Sequence, residues 1–184
     1  PALCNRIDRN TGGIVICAKT AEALRILNER IKDRELEKRY LCVVHGKPVP
    51  PDGLIENYLR RDEKRKQVTL HKTRVPGAKT AKTRYRTLAS NGKLSLVECE
   101  LLTGRTHQIR AHMASIGCPL LGDGKYGTNE LNRPYHENGQ LLYAYSLTFR
   151  FEADAGALSY LNGRTFYVKH IPFVEKYFPN APIR

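Results

Sequence analysis

Residues 80–102 read TAKTRYRTLASNGKLSLVECELL, two runs typical of strands joined by a short polar turn. The runs at 80–89 and 94–102 are rich in the β-branched, aromatic and aliphatic residues that favour strands. Between them, Asn91-Gly92 is a typical dipeptide of a tight hairpin turn, because both residues tolerate a positive φ. The stretch therefore predicts two neighbouring antiparallel strands.

Further strand candidates lie on both sides of this hairpin. They are short apolar runs at residues 13–18, 40–44, 54–59, 67–71 and 141–151, and two runs flanking Asn162-Gly163 that predict another hairpin. Helices are predicted at 21–33 (capped by Thr20), at 106–116 (followed by Gly117) and at 174–178. Hairpins outnumber crossover connections. The sequence therefore predicts an α+β fold in one domain, a mixed, mainly antiparallel central sheet flanked by a few helices.

Positive charge dominates the composition. The 184 residues carry a formal net charge of +13, and residues 60–86 alone contain eleven Lys or Arg against Asp62 and Glu63. Such a block suits contacts to nucleic-acid phosphates, where the release of counterions supplies affinity. The alternatives are a solvated basic face and attraction to anionic lipid. The lipid is disfavoured because no amphipathic apolar stripe accompanies the charges.

Several features bear on the cellular compartment. No apolar run approaches the ~18 residues of a membrane-spanning helix, and no signal-peptide pattern opens the chain. The five cysteines are dispersed without a C-x-x-C pair, so we expect no structural metal and a reducing cytoplasm. Residue 1 is Pro and the sole methionine is Met113, from which we expect a fragment or processed product. A monomer is the default expectation.

Residues 4–13, CNRIDRNTGG, surround one carboxylate with arginines. Asp8 lies between Arg6 and Arg9, just before the apolar run that begins at Gly13. Two interpretations are open at this point: a solvated turn residue, or a carboxylate kept ionised at a strand edge beside an anionic substrate. A neighbouring arginine lowers the pKa of an aspartate by ~1–3 units, which suits the second.

Residues 103–112, TGRTHQIRAH, form the start of a predicted helix. His112 lies on its apolar face, whereas Arg110 points about 100° away, near a helix start where the dipole disfavours a cation. Arg110 therefore requires an anion, and Asp8 or a phosphate would serve. His107 and His112 are five residues apart, which does not fit a helical metal pair, so His112 is expected to be a packed core residue. His107 and Gln108 either contact RNA or cap the helix.

Three stretches together carry a family resemblance. They are RIDRNTGG at 6–13, EKRYLCVVHG at 37–46 and TGRTHQIRAHMASIGCPLLGDGKYG at 103–127. Beside the forms HRLDxxTSG, KxYxxxxxG and GRTHQIRxHxxxxGxPIxGDxxYG, they resemble the signature blocks of the RluA-type ribosomal RNA pseudouridine synthases. The resemblance spans residues 6 to about 149 in the family's order, and its third block is long and specific. It implies the pseudouridine synthase fold and an isomerase that flips specific uridines out of structured large-subunit (23S-type) ribosomal RNA.

The resemblance also implies roles for individual residues. Asp8 matches the catalytic aspartate that starts the breakage of the N-glycosidic bond, and Tyr40 matches the tyrosine that stacks on the base and is implicated in removing the C5 proton. Arg110 matches the basic residue that forms a salt bridge with the aspartate. RNA contacts are expected from Arg6, which matches the arginine that helps hold the flipped conformation, and from Arg105, His107 and Gln108. No metal or organic cofactor is required.

Each of these residues has a structural alternative. Asp8 could be a turn residue, Tyr40 a packed strand residue, Arg110 half of a structural ion pair and Arg6 an ordinary phosphate contact. Arg105 could contact backbone phosphate or the rim of the site. Asp123 and Tyr126, in the GDGKYG loop, are expected to be structural.

The chain also departs from the family pattern. Asn5 replaces a histidine, Gly12 replaces the serine of TSG, and Tyr143 stands where a histidine often precedes alanine. We further expect residues 1–184 to be a catalytic domain without its first strands and without an upstream S4-like RNA-binding domain, and hence with weaker RNA affinity.

Two other functions compete with the synthase. The first is a non-catalytic RNA-binding module that retains the fold. The second is a ribonuclease that uses His107 and His112, which fits the basic charge but leaves Asp8 unexplained.

Overall fold

Long antiparallel strands build the centre of the fold. The computed structural model describes residues 1–183. Its strands are β1 (Ala2–Leu3), β2 (Gly12–Gly13), β3 (Cys17–Ala18), β4 (Leu36–His45), β5 (Asp52–Asp62), β6 (Gln67–His71), β7 (Lys79–Ser90), β8 (Leu94–Leu101), β9 (Leu142–Phe149) and β10 (Thr165–Tyr167). Its α-helices are α1 (Ala21–Lys32), α2 (Gln108–Ser115), α3 (Asn129–Asn132) and α4 (Pro172–Tyr177), and 3-10 helices cover Arg133–Tyr135 and Gly156–Leu161.

The main sheet has the order β10-β9-β4-β8-β7-β5-β6. All of these neighbours are antiparallel, and β2 adds a parallel pairing to β9 next to β10. The strands β1 and β3 form a separate two-stranded ribbon. The predicted α+β fold with a mixed, mainly antiparallel sheet is confirmed, as is the hairpin of β7 and β8, whose turn holds Gly92 at φ 88°.

The middle of β4 is buried on both faces of the sheet, which explains its continuous apolar run. On one face, Tyr40 and Cys42 pack with residues of α2 such as Met113. On the other, Leu41 and Val43 pack with residues around α4. The sheet therefore separates two cores, and the end of α2 that begins at Gln108 is fixed against the face that carries Tyr40.

Helix α1 covers the β4–β9 end of the sheet. Its N-terminus is capped as predicted, with the Thr20 hydroxyl accepting from the Ala23 N–H at 3.1 Å. Ile26 and Leu27 pack against Leu36, Leu147 and Phe149. These contacts bring the C-terminal end of α1 close to the start of β4.

Three local predictions were wrong in detail. The apolar run at 13–18 is not one strand but splits into β2 and β3, because β2 pairs with β9 and β3 pairs with β1. The runs around Asn162-Gly163 do not form a hairpin: the first is a 3-10 helix, and β10 pairs with the edge of β9 instead. Helix α2 begins at Gln108 rather than 106, because His107 adopts a left-handed conformation with φ 53°.

None of the described helices is long and apolar enough to cross a membrane.

Candidate active site

The loop that carries Asp8 is tied to the end of the sheet. The Thr11 N–H donates to the Asp8 carbonyl at 3.0 Å and closes a turn. Buried Gln140 donates from Nε2 to the Arg9 carbonyl at 2.6 Å, and Gly13 pairs with Ala144 of β9. Asp8 is thus a turn residue by its backbone, while its side chain lines a cleft. The two interpretations of Asp8 are therefore compatible.

Asp8 and Tyr40 line the same cleft, which has a volume of about 110 Å³. It lies between the Asp8 loop, strand β4 and the segment before α2. The other charged residues of its wall are Arg6, Lys38 and Arg105. Five of the seven residues predicted for the site therefore line one opening, together with Lys38: Arg6, Asp8, Tyr40, Arg105 and Gln108.

Tyr40 is only 8% exposed. Burial, and secondarily the negative charge of Asp8, raise the pKa of its phenol to about 12. The phenol is therefore protonated at neutral pH, and its phenolate is about a hundredfold rarer than for a free tyrosine. Tyr40 packs in the core with Met113 and also contributes to the wall of the cleft, so packing in the core does not exclude it from the predicted site.

The counter-ion of Arg110 is Asp123, not Asp8 as predicted. Both side chains are buried, and the guanidinium donates twice, from Nε to Oδ2 at 2.7 Å and from Nη2 to Oδ1 at 3.0 Å. Burial lowers the pKa of Arg110, but the Asp123 hydrogen bonds and charge, and then the charge of Asp8, raise it above its ordinary value overall. Asp8 therefore acts on Arg110 electrostatically, while Asp123 fixes the guanidinium. The sequence signal was present, because a buried cation at a helix start requires an anion, but two aspartates could satisfy it.

His107 does not cap α2, since its side chain makes no capping hydrogen bond. Its Nδ1 lies 2.8 Å from the Tyr126 hydroxyl, which also accepts from the Val68 N–H at 2.9 Å. Burial, and then the charge of Arg110, lower the pKa of His107. A neutral imidazole therefore lies beside the Arg110–Asp123 pair and is linked through Tyr126 to β6. Asp123 and Tyr126 have the structural roles that the sequence predicted.

The structure argues against the predicted RNA contact by Gln108. Its side chain is 2% exposed, and its carbonyl accepts from the Thr103 hydroxyl at 2.7 Å and the Arg105 N–H at 3.0 Å. Its amide donates to the Lys82 carbonyl at 2.8 Å and the Thr83 hydroxyl at 2.9 Å. All four hydrogen-bonding positions of the amide are occupied inside the protein. Gln108 instead fixes the loop that presents Arg105 to the cleft.

His112 is a core residue, as predicted. It is fully buried, with Nδ1 2.7 Å from the Thr83 hydroxyl and Nε2 3.0 Å from Oδ1 of the Asn57 side chain. Burial lowers the pKa of His112 to about 4. A buried neutral imidazole with both nitrogens engaged in hydrogen bonds cannot exchange protons with RNA. The hypothesis of a ribonuclease that uses His107 and His112 is therefore excluded.

Sequence reasoning missed Lys38 as a residue of the cleft. It lies on β4 two residues before Tyr40, so the alternation of a strand directs both side chains to one face. Burial lowers the pKa of its amine. The KxY pattern at 38–40 was the available signal.

The basic block at 60–86 does not form one surface. Lys82, Arg84 and Arg86 alternate along β7 and lie on the face opposite the buried Thr83 and Tyr85. Each of the three pairs with a carboxylate: Glu56 at 3.1 Å, Glu100 at 2.7 Å and Glu98 at 3.2 Å respectively. The cations that remain available lie mainly around the hairpin of β5 and β6.

Across residues 1–183, no group of three or more His, Cys, Asp or Glu side chains is arranged to hold a metal ion.

Comparison with known proteins agrees with the motifs. Residues 1–115 match the family described as RNA pseudouridylate synthase. The ribosomal large subunit pseudouridine synthase D of Borreliella burgdorferi is 36% identical, over 87% of this chain and 47% of that protein. The mitochondrial tRNA pseudouridine(32) synthase of Saccharomyces cerevisiae is also 36% identical, over 70% of this chain and 28% of that protein. The chain thus spans less than half the length of these relatives.

The fold is similar to that of a solved human protein. Human RNA Pseudouridylate Synthase Domain Containing 1 superposes with a TM-score of 0.79 at 21% identity, over 98% of this chain and 73% of that one. The match over residues 1–115, the order of the three motifs and the shared fold lead to one conclusion: the chain belongs to the RNA pseudouridylate synthase family, with motifs of the RluA type.

Proposed function

We propose that residues 1–184 are a catalytic domain that isomerises specific uridines to pseudouridine in large-subunit ribosomal RNA, by base flipping and with Asp8 as the nucleophile. The observation that carries the proposal is the meeting of Asp8 and Tyr40 in one cleft, with Arg110 near enough to respond to the charge of Asp8. An aromatic wall, a carboxylate and a fixed cation are the groups that this isomerisation needs.

The reaction exchanges one bond for another within a single nucleotide. The bond between C1′ of the ribose and N1 of uracil breaks, the base turns, a bond forms between C1′ and C5, and the C5 proton leaves while N1 gains one. No electrons are gained or lost overall. The carboxylate of Asp8 supports the first step as a nucleophile, because an ionised aspartate bonds to the electron-poor centre that forms.

Tyr40 is suited to act after Asp8 rather than before it. While Asp8 is ionised, its charge and the burial of Tyr40 keep the phenol protonated. When the carboxylate bonds to C1′, the electron pair of the C1′–N1 bond leaves with the uracil, so the negative charge moves from Asp8 to the base. The C5 proton can be removed only after the C1′–C5 bond has formed, and Tyr40 lines the cleft in which that step takes place. Stacking of the flipped uracil on the ring contributes about 1–3 kcal/mol toward the cost of extrusion.

The neighbouring cations support an RNA substrate. Arg6 and Arg105 lie on the wall of the cleft, where they can bind phosphates beside the flipped nucleotide. Ribosomal RNA is proposed over transfer RNA because the Borreliella burgdorferi relative, which has a large-subunit name, matches 87% of this chain, against 70% for the transfer RNA relative. The five cysteines are free thiols, as suits a protein that acts in the cytoplasm.

The proposal is tested by tritium release from large-subunit ribosomal RNA labelled at uracil C5. Formation of the C1′–C5 bond must expel that hydrogen to water, so release reports the reaction directly. We expect release by the parent chain and none by Asp8→Asn, which removes the charge and keeps the shape. Asp52→Asn is the matched control, because Asp52 is exposed at the start of β5 and lies outside the cleft.

RNA binding, measured in parallel, separates the rival function. If the parent binds RNA but releases no tritium, the RNA-binding module is the better description. If Asp8→Asn releases tritium at the rate of the parent, Asp8 is not the nucleophile. Transfer RNA labelled in the same way distinguishes the two substrate classes.

A further inference from the structure

A second groove opens beside the catalytic cleft. It has a volume of about 430 Å³, in the range of pockets that hold small molecules, and lies between the C-terminal end of α1, the start of β4 and the segment after β8. Lys38, Leu101, Gly104 and Arg105 line both openings. A molecule whose base occupies the cleft would therefore extend directly into this groove.

The groove is basic, and its acids are already paired. Five basic residues line it, against two acidic ones. Glu37 accepts from Arg39 and from Arg150, each at 2.7 Å, and Glu100 accepts from Arg84 at 2.7 Å. Within residues 1–183, neither Arg34 nor Arg105 has a carboxylate within 4.0 Å. Lys32 and Lys38 likewise have no carboxylate within 4.0 Å among the described residues, so four cations without a carboxylate partner carry the positive charge of the groove, and two of them are guanidinium groups.

The backbone of Arg34 is unusual for its residue type. Arg34 follows the C-cap of α1 with φ 59°, and the next N–H, of Glu35, donates to the Arg30 carbonyl at 2.9 Å. This hydrogen bond identifies a Schellman ending, in which the left-handed residue is usually glycine. An arginine accepts the strain of that conformation, and strain of this kind is concentrated at binding sites. The turn itself therefore gives no reason for arginine at this position.

Arg34 and Arg105 line the same groove. Burial, and then the positive charge of Arg34, lower the pKa of Arg105. Arg105 is also fixed, because its Nε donates to the Thr80 carbonyl at 2.9 Å. Between them and the cleft, Gly104 is exposed, and a Cβ added there would meet no atom within 4 Å. Two guanidinium groups on one groove, one of them fixed and neither paired with a carboxylate, favour a ligand with concentrated negative charge.

We infer that this groove binds the nucleotide adjacent to the flipped uridine, and that Arg34 and Arg105 hold its phosphodiester group. The inference rests on the proposed RNA substrate and adds to it a second subsite with a named anion. Guanidinium groups suit this ligand because they donate two parallel hydrogen bonds to phosphate oxygens. Lys38, at the junction of the two openings, lies between the base and this phosphate.

The sharpest variant is Arg34→Gly. It removes the cation and supplies the residue that a Schellman ending prefers, so the thermal midpoint should be unchanged or higher. Binding of the C5-labelled ribosomal RNA should weaken by about tenfold, and the slope of log Kd against log salt should fall by about 0.7, as expected when one phosphate is no longer neutralised. Arg34→Lys should recover part of the affinity, because lysine restores the positive charge but cannot donate two parallel hydrogen bonds to one phosphate.

Lys93→Gln is the charge-matched control. Lys93 is exposed in the turn before β8. Leu101, which lines the groove, is at the other end of that strand, so Lys93 lies about 25 Å from the groove. It should leave the affinity and the salt slope within error of the parent. A Kd and a salt slope for Arg34→Gly equal to those of Lys93→Gln would overturn the inference.

Failure of the inference and failure of the proposed function give different results. A parent chain that releases no tritium fails the proposed function, whereas the salt slope still tests the groove through binding alone. Conversely, tritium release by the parent with an unchanged slope in Arg34→Gly retains the synthase and rejects this subsite. Loss of binding together with a lower thermal midpoint would also count against it, because the role of Arg34 would then be structural.

Discussion

Gly12 and Tyr143, two departures from the family pattern, are neighbours in space. A Cβ on Gly12 would lie 2.6 Å from Cε2 of Tyr143, closer than a real contact allows. The glycine and the tyrosine are therefore one change rather than two: the larger ring on β9 requires the smaller residue on β2. Both departures were visible in the sequence, but their contact was not, because 131 positions separate Gly12 and Tyr143.

The contact makes Gly12→Ser a test of this pairing. The added side chain forces the ring or the Asp8 loop to move, and we expect a loss of about 1–3 kcal/mol in the free energy of unfolding. The double variant Gly12→Ser/Tyr143→His should regain a large part of that loss, because imidazole is the smaller ring. Urea denaturation of the two single variants and the double variant measures the coupling. Additive losses would show that the residues act independently.

Arg110 illustrates what sequence reasoning can and cannot decide about a residue. Its position near a helix start predicted an anionic partner, and that requirement holds. Which aspartate meets it depends on the path of the loop after α2, where Asp123 also accepts from the Lys125 and Tyr126 N–H groups at 2.9 and 3.0 Å. Those two hydrogen bonds, together with that of Arg110, lower the pKa of Asp123 although burial raises it.

Comparing Asp123→Asn with Asp8→Asn tests which carboxylate holds Arg110. Breaking a buried ion pair leaves a charge uncompensated, so Asp123→Asn should cost about 3–5 kcal/mol of stability. Asp8→Asn should change stability by less than about 0.5 kcal/mol, because Asp8 lines an open cleft. Chemical denaturation of both variants is the measurement. Equal losses, or the opposite order, would contradict the assignment of Asp123.

At the scale of elements, a chain of hydrogen bonds joins α2 to the sheet. Asn57 of β5 contacts His112, His112 contacts Thr83 of β7, and Thr83 accepts from Gln108 at the start of α2. Because the side-chain oxygen of Asn57 can only accept, Nε2 of His112 carries the ring proton, and Nδ1 of the neutral ring accepts from the Thr83 hydroxyl. Protonation of the ring would turn Nδ1 into a donor and remove the acceptor of the Thr83 proton.

Stability should therefore depend on pH through His112. The pKa of His112 is about 4 in the folded protein and near 6.5 in the unfolded chain. Between these two pH values the unfolded chain binds a proton at His112 and the folded protein does not. The free energy of unfolding should fall as pH drops from about 6.5 to about 4, by up to about 3 kcal/mol from this residue. In His112→Gln that part of the slope should be absent, as denaturant midpoints between pH 4 and pH 7 would reveal. An unchanged slope would mean that other groups carry the dependence.

The elements predicted correctly are those with a local signal. The strands of the β7–β8 hairpin, the Thr20 cap and the ending of α2 before Gly117 all follow from residues within a few positions of each other. The errors concern pairings decided elsewhere in the chain. β10 pairs with the outer edge of β9 at residues 146–148. The run at 13–18 is divided between pairing with β9 and pairing with β1, and hydrophobic periodicity carries no information about pairing partners.

At the scale of the whole molecule, the sequence predicted a basic block but not its division. Because strand residues alternate between faces, Lys82, Arg84 and Arg86 lie on the side opposite α2, with carboxylates across from them. The turn of the β5–β6 hairpin, which includes Lys64 and Lys66, lies beside the loop after α2, where the Lys125 amine donates to the Lys66 carbonyl at 2.5 Å. The second group lies on the side of the sheet that carries α2, as does the cleft, and its lysines are the ones expected to contact the proposed RNA.

Lys64→Gln/Lys66→Gln and Lys47→Gln/Lys93→Gln make the same change in net charge at opposite ends of the sheet. All four lysines are exposed, the first pair at the β5–β6 turn and the second in the loop after β4 and the turn before β8. If affinity depended on net charge alone, the two double variants would weaken RNA binding equally. If the hairpin binds phosphates, the first variant alone should lower the slope of log Kd against log salt, by about 0.7–0.9 for each phosphate that is no longer neutralised. Its rate of tritium release at saturating RNA should stay that of the parent, since no catalytic group is altered. Equal slopes for the two variants would assign the basic charge to long-range attraction and leave the orientation of the RNA to the arginines around the cleft.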